Sequence, residues 1–237
     1  MPVSEVKALA FDVFGTVVDY RSTITHEGEQ LNQQKGLNVD WARFADAWRG
    51  RYNPFMDKVR RQELPWTNLD GLHRLALEEV LEEFHVTGLT EEEKAHLNKV
   101  WHRLQPWSDS AAGLTRMRQK FILATLSNGN VALLTNMAKY SNLPWDCILS
   151  AELVRAYKPD PKVYRMTFEL LDLQPREVMM VAAHHGDLHA ARSQGLKTGF
   201  VARPLEHGEG GASDLVGDPA FDVNANDFVD LARQLGA

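Results

Sequence analysis

Residues 11–19 read "FDVFGTVVD", and the reading of the whole chain turns on them. The apolar run Val6–Phe14 has the length and content of a buried strand, and Asp12, Gly15 and Thr16 stand where it runs out. A strand that ends in Asp offers a carboxylate to a cleft. Yet Phe14 sits two residues on, where a second acid would be expected if the site paired a metal ion with a phosphate. The chemistry must be one that uses Asp12 without that partner.

Four more short apolar runs end in polar punctuation: Phe121–Ser127, Cys147–Ser150, Val178–Ala183 and Lys197–Val201. Helical periodicity fills the gaps between them, over Val131–Tyr140, Pro161–Leu171 and Leu188–Gln194. Such βαβα alternation predicts an α/β fold, a parallel sheet with helices on both faces and its site at the carboxyl ends of the strands.

From Tyr20 to Gln105 the alternation stops. That stretch carries only amphipathic helix patterns, "WARFADAWRGRYNPFMDKVRRQE" at 41–63, "LDGLHRLALEEVLEEF" at 69–84 and "TEEEKAHLNKVWHRL" at 90–104. It predicts an inserted helical cap over residues 20–105, with 1–19 and 106–237 forming a Rossmann-like core. "QPWSDS" at 105–110, with Pro106 ahead of Ser and Asp capping residues, suits the return to that core. "RPLEHGEGGASD" at 203–214 reads as a surface loop.

The composition narrows the function. A chain of 237 residues with 44% apolar and 24% charged residues is globular, and a net charge of −6 with scattered Lys and Arg argues against nucleic acid or an anionic membrane as partner. A small molecule is the expected substrate. Cys147 is the single cysteine and reads as strand packing rather than as a nucleophile. "MPVSEVKALAFDVF" has no basic segment followed by a long apolar run, and nothing reaches the roughly 20 apolar residues of a membrane span. The expected location is the cytoplasm.

Chemistry-bearing residues gather at the predicted strand ends: Asp12 and Thr16 in "FDVFGT", Ser127 and Asn128 in "LSNGN", Lys158 in "YKPD", and Asp187 in "VAAHHGD". In a parallel sheet these ends converge on one crevice. An Asp there acts as a nucleophile when a lysine keeps it ionised and the N–H groups of the following turn hold the substrate's negative charge. "HHGDLH" at 184–189 has the residue types of a zinc site, but His184 and His185 point to different sides of an extended chain, so no metal and no cofactor are expected.

Taken in order, these motifs resemble the haloacid dehalogenase superfamily, with its strand-end Asp before Gly-Thr, strand-end Ser, Lys and terminal acidic loop, and the resemblance covers nearly the whole chain. Phosphatases of that superfamily carry an acid where Phe14 stands. "FDVFGTVVD", "LSNGN" and "YKPDPKVY" are similar to the L-2-haloacid dehalogenases, which have an aromatic there and expel a halide that needs no proton. "AAHHGD" followed by "GFVARPLEHG" looks like a subgroup that includes members active on fluoroacetate.

The resemblance implies hydrolytic dehalogenation of short (S)-2-haloalkanoic acids through an aspartyl ester. Asp12 would attack the carbon, Lys158 would keep it ionised, and Ser127 with the N–H groups of Val13 and Phe14 would bind the substrate carboxylate. Arg49 from the cap and Asn128 would receive the halide. Thr16, Asp187, Lys158 and His184 or His185 would hold the hydrolytic water. Tyr164, six residues after Lys158 as in those enzymes, fits packing equally well. A homodimer is left open. The rival readings are a Mg2+-dependent phosphatase or phosphonate hydrolase of the same superfamily and a non-catalytic binding protein, which would be expected to lack Asp12 or Lys158.

Overall fold

The computed structural model describes residues 3–211 and 214–237. Strand β1 (Ala8–Phe11) is buried at all four positions, as a strand covered on both faces must be. The predicted run to Phe14 is cut short because the chain turns at Gly15, where φ is +81°. It leaves through β2 (Val18–Asp19) and enters helices α1 (Tyr20–Lys35), α2 (Trp41–Gly50), α3 (Tyr52–Arg60), α4 (Leu69–Glu83) and α5 (Glu91–Asn98), with a 3-10 turn over Lys99–His102. It returns through β3 (Gln105–Pro106), which pairs antiparallel with β2. Exit and return thus meet, and the segment between them is all helical, as its patterns predict.

Side-chain caps start these helices. Asp19, Asp40, Asn68 and Thr90 each accept a backbone N–H of the first turn, and Thr90 forms a full capping box with Glu93. The stretch from Trp41 is two helices because Pro54 has no N–H for the Gly50 carbonyl and is tolerated only in a first turn. The break puts Arg49 in the last turn of α2 and Tyr52 at the start of α3.

The rest alternates: α6 (Ser110–Met117), β4 (Ile122–Ser127), α7 (Val131–Tyr140), β5 (Cys147–Ser150), α8 (Pro161–Leu170), β6 (Val178–Ala182), α9 (His185–Ser193), β7 (Lys197–Val201), β8 (Val223–Ala225) and α10 (Phe228–Gln234). The sheet is parallel throughout, in the order β5-β4-β1-β6-β7-β8. Connections run outward on both sides of β1, so its carboxyl end is the topological switch point. Cys147 opens β5, half-buried, as the packing reading expects. Strand β8 and helix α10 were not foreseen in the sequence.

Hydrogen bonds lock the helical segment to the core. Asp70 receives Lys99 and His102 from its own side and Asn130 from α7's amino end, and Glu152 receives Asn68 and the Val131 N–H. Tyr157 Oη–H donates to the Thr67 carbonyl, and Arg60 to that of Lys158. No helix of the described residues is long and apolar enough to cross a membrane.

Candidate active site

A cavity of about 400 Å³ opens at the switch point, walled by Asp12, Phe14, Arg49, Tyr52, Asn128, Lys158, Tyr164, His184 and Asp187 among others. Asp12 stands one residue past β1, its N–H still bonded to the Val181 carbonyl at 2.9 Å. Its Oδ2 accepts Thr16 Oγ1–H at 2.8 Å and lies 3.1 Å from His184 Nδ1, while its Oδ1 accepts Lys158 Nζ at 3.2 Å. Burial alone would raise its pKa. The Lys158 ammonium, then His184 and the Thr16 hydroxyl, outweigh burial and hold the carboxyl well below the usual range.

Lys158 is positioned by its own backbone, whose N–H donates to Asn128 Oδ1 at 2.8 Å. Its ammonium reaches Asp187 Oδ2 at 2.7 Å as well as Asp12, so one cation joins two carboxylates. Burial opposes the charge, but Asp187 and then Asp12 raise its pKa, and the group stays protonated. Tyr164 Oη–H donates to Asp187 Oδ1 at 2.7 Å, so this tyrosine is part of the site and not mere packing. Burial first, then the neighbouring Asp187 charge, pushes the Tyr164 phenol far above its ordinary value.

The aromatic of "FDVFG" is a wall. Phe14 is 2% exposed and meets Tyr52, His73 and Trp101 edge-on at centroid distances of 6.4, 6.4 and 5.7 Å. His73 lies behind it, stacked on Trp101, and burial lowers its pKa to about 3, which keeps it neutral. Neither the N–H of Val13 nor that of Phe14 donates within the described residues, which leaves two adjacent donors at the strand end.

Arg49 reaches the cavity between two rings, its guanidinium carbon 4.1 Å from the centroid of Tyr52 and 5.2 Å from that of Tyr20. Its Nη1 is buried without a hydrogen-bond partner. An orphan charged donor at a cavity wall is an anion site in waiting. Arg51 instead pairs with Glu79 and Glu83 on the outer face of the helices.

Some expected placements change. Thr16 is fully buried, donates to Asp12 and accepts the Ala183 N–H at 3.0 Å, so it positions Asp12 rather than a water. Ser127 is fully buried, accepts the Gly129 N–H and does not itself line the cavity. His184 and His185 diverge: His185 turns away from Asp12 to pack between Phe200 and Phe221, at 5.1 and 5.3 Å, because α9 begins there and rotates it off the cavity edge. The loop after β7 is not all surface. Arg203 is 6% exposed and bidentate to Asp109, and Glu206, at 2%, reaches His184 Nε2 at 2.9 Å.

No motif in the sequence singles out Glu206 or Tyr52. The available signal was position, since Glu206 follows the carboxyl end of β7 and Tyr52 follows Arg49 across the helix break. Among the described residues no group of three or more His, Cys, Asp or Glu side chains converges as a metal site.

This arrangement can present an ionised carboxylate to a small anionic substrate in a pocket with a spare cation. Comparisons with known proteins agree with it. Residues 6–195 match the haloacid dehalogenase-like hydrolase family. The chain is 46% identical to the L-2-haloacid dehalogenase PA0810, with a TM-score of 0.94 over 98% of this chain and 99% of that one. It is 44% identical to the defluorinating L-2-haloacid dehalogenase Rha0230, with a TM-score of 0.95 over 98% and 96%. It is also 30% identical to an (S)-2-haloacid dehalogenase of Xanthobacter autotrophicus over 84% of this chain and 76% of that protein. By sequence match, fold and the residues gathered at the switch point, the chain belongs to the haloacid dehalogenase-like hydrolases.

Proposed function

We propose that this protein hydrolyses short (S)-2-haloalkanoic acids, haloacetates and 2-halopropionates, to 2-hydroxy acids through an ester on Asp12. The observation that carries the reading is an Asp12 held ionised by the Lys158 ammonium, which also reaches Asp187, with the ring of Phe14 rather than an acid facing the same cavity. Phe14 adds an apolar wall where a phosphatase has a proton-donating acid. A halide leaves without a proton, so no acid is needed there.

Asp12 Oδ2 has two partners, Thr16 and His184, while Oδ1 has Lys158 alone, so Oδ1 keeps a lone pair for attack. It displaces the halide from the opposite side and inverts the carbon. The free N–H groups of Val13 and Phe14 hold the substrate carboxylate aside and align the carbon; Ser127, buried behind the wall, shapes the turn that carries Asn128. Arg49 and Asn128 take up charge on the departing halide. Water then attacks the Asp12 carbonyl carbon, with Asp187 beside it to accept a proton. Residues 20–105 act as the cap that closes this cavity and contributes Arg49, Tyr52 and Asn53 to it.

The test is halide release from chloro-, bromo- and fluoroacetate and from both enantiomers of 2-chloropropionate, beside a general phosphatase substrate, with and without EDTA. The reading expects halide from the haloacetates and from the (S)-2-chloropropionate, with no effect of chelation. Phosphate release that needs Mg2+, with no halide, would establish the phosphatase alternative instead.

A further inference from the structure

The loop after β7 sends a carboxylate into the core of the molecule. Glu206 is 2% exposed, and both its oxygens reach His184 Nε2, at 2.9 and 3.0 Å. The other nitrogen of that ring, Nδ1, faces Asp12 Oδ2 at 3.1 Å. Ionised carboxylates only accept hydrogen bonds, so a ring held between two of them must donate from both nitrogens and carries a positive charge. The site is built for this carboxylate. A Cβ on Gly15 would lie 2.1 Å from Glu206 Oε1, so the glycine of "FDVFGT" is what lets Glu206 in.

We propose that Glu206 is a positioning residue that keeps His184 an imidazolium, whose Nδ1–H stabilises negative charge on Asp12 Oδ2 while the ester is hydrolysed. The proposal rests on the dehalogenase reading and deepens it. Once Oδ1 has attacked, the ester bond runs through Oδ1 and Oδ2 is the carbonyl oxygen. Water adds to the carbonyl carbon and electrons move onto Oδ2, where His184 Nδ1–H and Thr16 Oγ1–H already point. The Cγ–Oδ1 bond then breaks and Oδ1 leaves as the product hydroxyl. One water proton ends on that hydroxyl, the other leaves as Asp12 returns to carboxylate, and His184 keeps its own throughout. Preorganised donors of this kind act where charge develops, and a charged donor does so more strongly than a neutral one.

Burial opposes the charge on His184, but the hydrogen bonds to Asp12 and Glu206 raise its pKa to about 10. After ester formation Asp12 is neutral, and Glu206 is the anion that remains against the ring. The other titratable or charged groups around the same space are Lys158, Asp187, Arg49 and Tyr52 at the cavity wall, Tyr20 and Asp46 beside Arg49, and His207, 4.0 Å from Glu206.

The experiment is single turnover with excess enzyme, following halide by rapid quench and the aspartyl ester by intact mass. Glu206→Gln can still hold the ring but removes the anion that keeps it charged up to high pH, and His184→Asn offers a neutral donor in its place. Both variants should still form the ester and then hydrolyse it about 10²-fold more slowly, so that the adduct accumulates. In Glu206→Gln the alkaline fall of the hydrolysis rate should move to lower pH, a change that a merely structural role would not produce. Combining the two substitutions should add little to either.

Ester that decays at the wild-type rate in both variants overturns the proposal. So does an unshifted pH profile, or loss of the halide burst with no adduct. If Glu206→Gln does not fold, His184→Asn carries the same decision. Wild-type enzyme that forms neither halide nor adduct overturns the dehalogenase reading itself, and is distinguished by that result.

Discussion

Lys158 Nζ lies 3.2 Å from Asp12 Oδ1, buried at the end of β1. The contact spans 146 residues of sequence and is made only because β1 lies at the centre of the sheet and the loop before α8 returns to its carboxyl edge. It keeps an attacking carboxylate ionised in a site that would otherwise favour the protonated acid.

Replacing Lys158 by Met leaves Asp12 and Asp187 facing one another without the shared cation. Breaking a buried pair in this way costs about 3–5 kcal/mol. Halide release should disappear and the urea midpoint should fall. Retained turnover in Lys158→Met would show that Asp12 is kept ionised by other groups.

Arg49 has the orphan donor at the cavity wall. Loss of one preorganised donor costs about 10²–10³ in rate, so Arg49→Ala should lose that much in kcat. Arg49→Lys should not recover it, because a point charge lacks the planar fork and does not stack between Tyr20 and Tyr52 in the same way. Near-normal kcat in Arg49→Ala would move the halide role to another donor. Arg60 is the first to examine, since it already reaches the Lys158 carbonyl.

Gly15→Ala tests how the turn and the loop fit together. The substitution forces a side chain into φ +81° and against Glu206. It should cost more than about 1 kcal/mol in urea unfolding and should slow ester hydrolysis as Glu206→Gln does. A neutral effect on both would mean that Glu206 moves freely.

The pH dependence of stability has two sides. Asp12 and Asp70 are held below the usual carboxylate range against burial, Asp12 by Lys158 and His184, and Asp70 by His102 and Lys99. Carboxyls lowered in this way stabilise the fold above their unfolded pKa, and the contribution is lost as pH falls through the folded values. His184 is raised to about 10, so its contribution is complete below its ordinary value of 6.5 and is lost as pH rises through about 10. Thermal unfolding should therefore show declines in acid, below about pH 4, and in alkali, the alkaline one smaller in His184→Asn. A His184→Asn curve that matches the wild type in alkali would count against the charged ring.

Much of this was legible in the sequence, because each strand-end residue sits beside an apolar run whose burial fixes its direction. Asp12, Asn128, Lys158 and Asp187 come together as their strand positions predict. The illegible parts depend on contacts between distant segments. Asn130 stands at the N-cap position of α7, but its side chain turns to Asp70 of α4 instead of capping. Glu206 sits in a polar, glycine-rich stretch and is drawn inward by the space at Gly15 and by His184, neither of which local composition registers. The split of α2 from α3 could have been read at Pro54. The inward path of Arg49 between two tyrosines could not, since Tyr20 belongs to a different helix.

The central claim is that Asp12 forms an ester with the substrate, and oxygen transfer tests it directly. Excess enzyme turning over once in ¹⁸O-labelled water should leave the label in the Asp12 carboxylate, found by mass analysis of the peptide around residue 12, and the 2-hydroxy acid should be unlabelled. Label in the hydroxyl of the product after that first turnover would mean that water attacks the substrate directly, and would contradict the account.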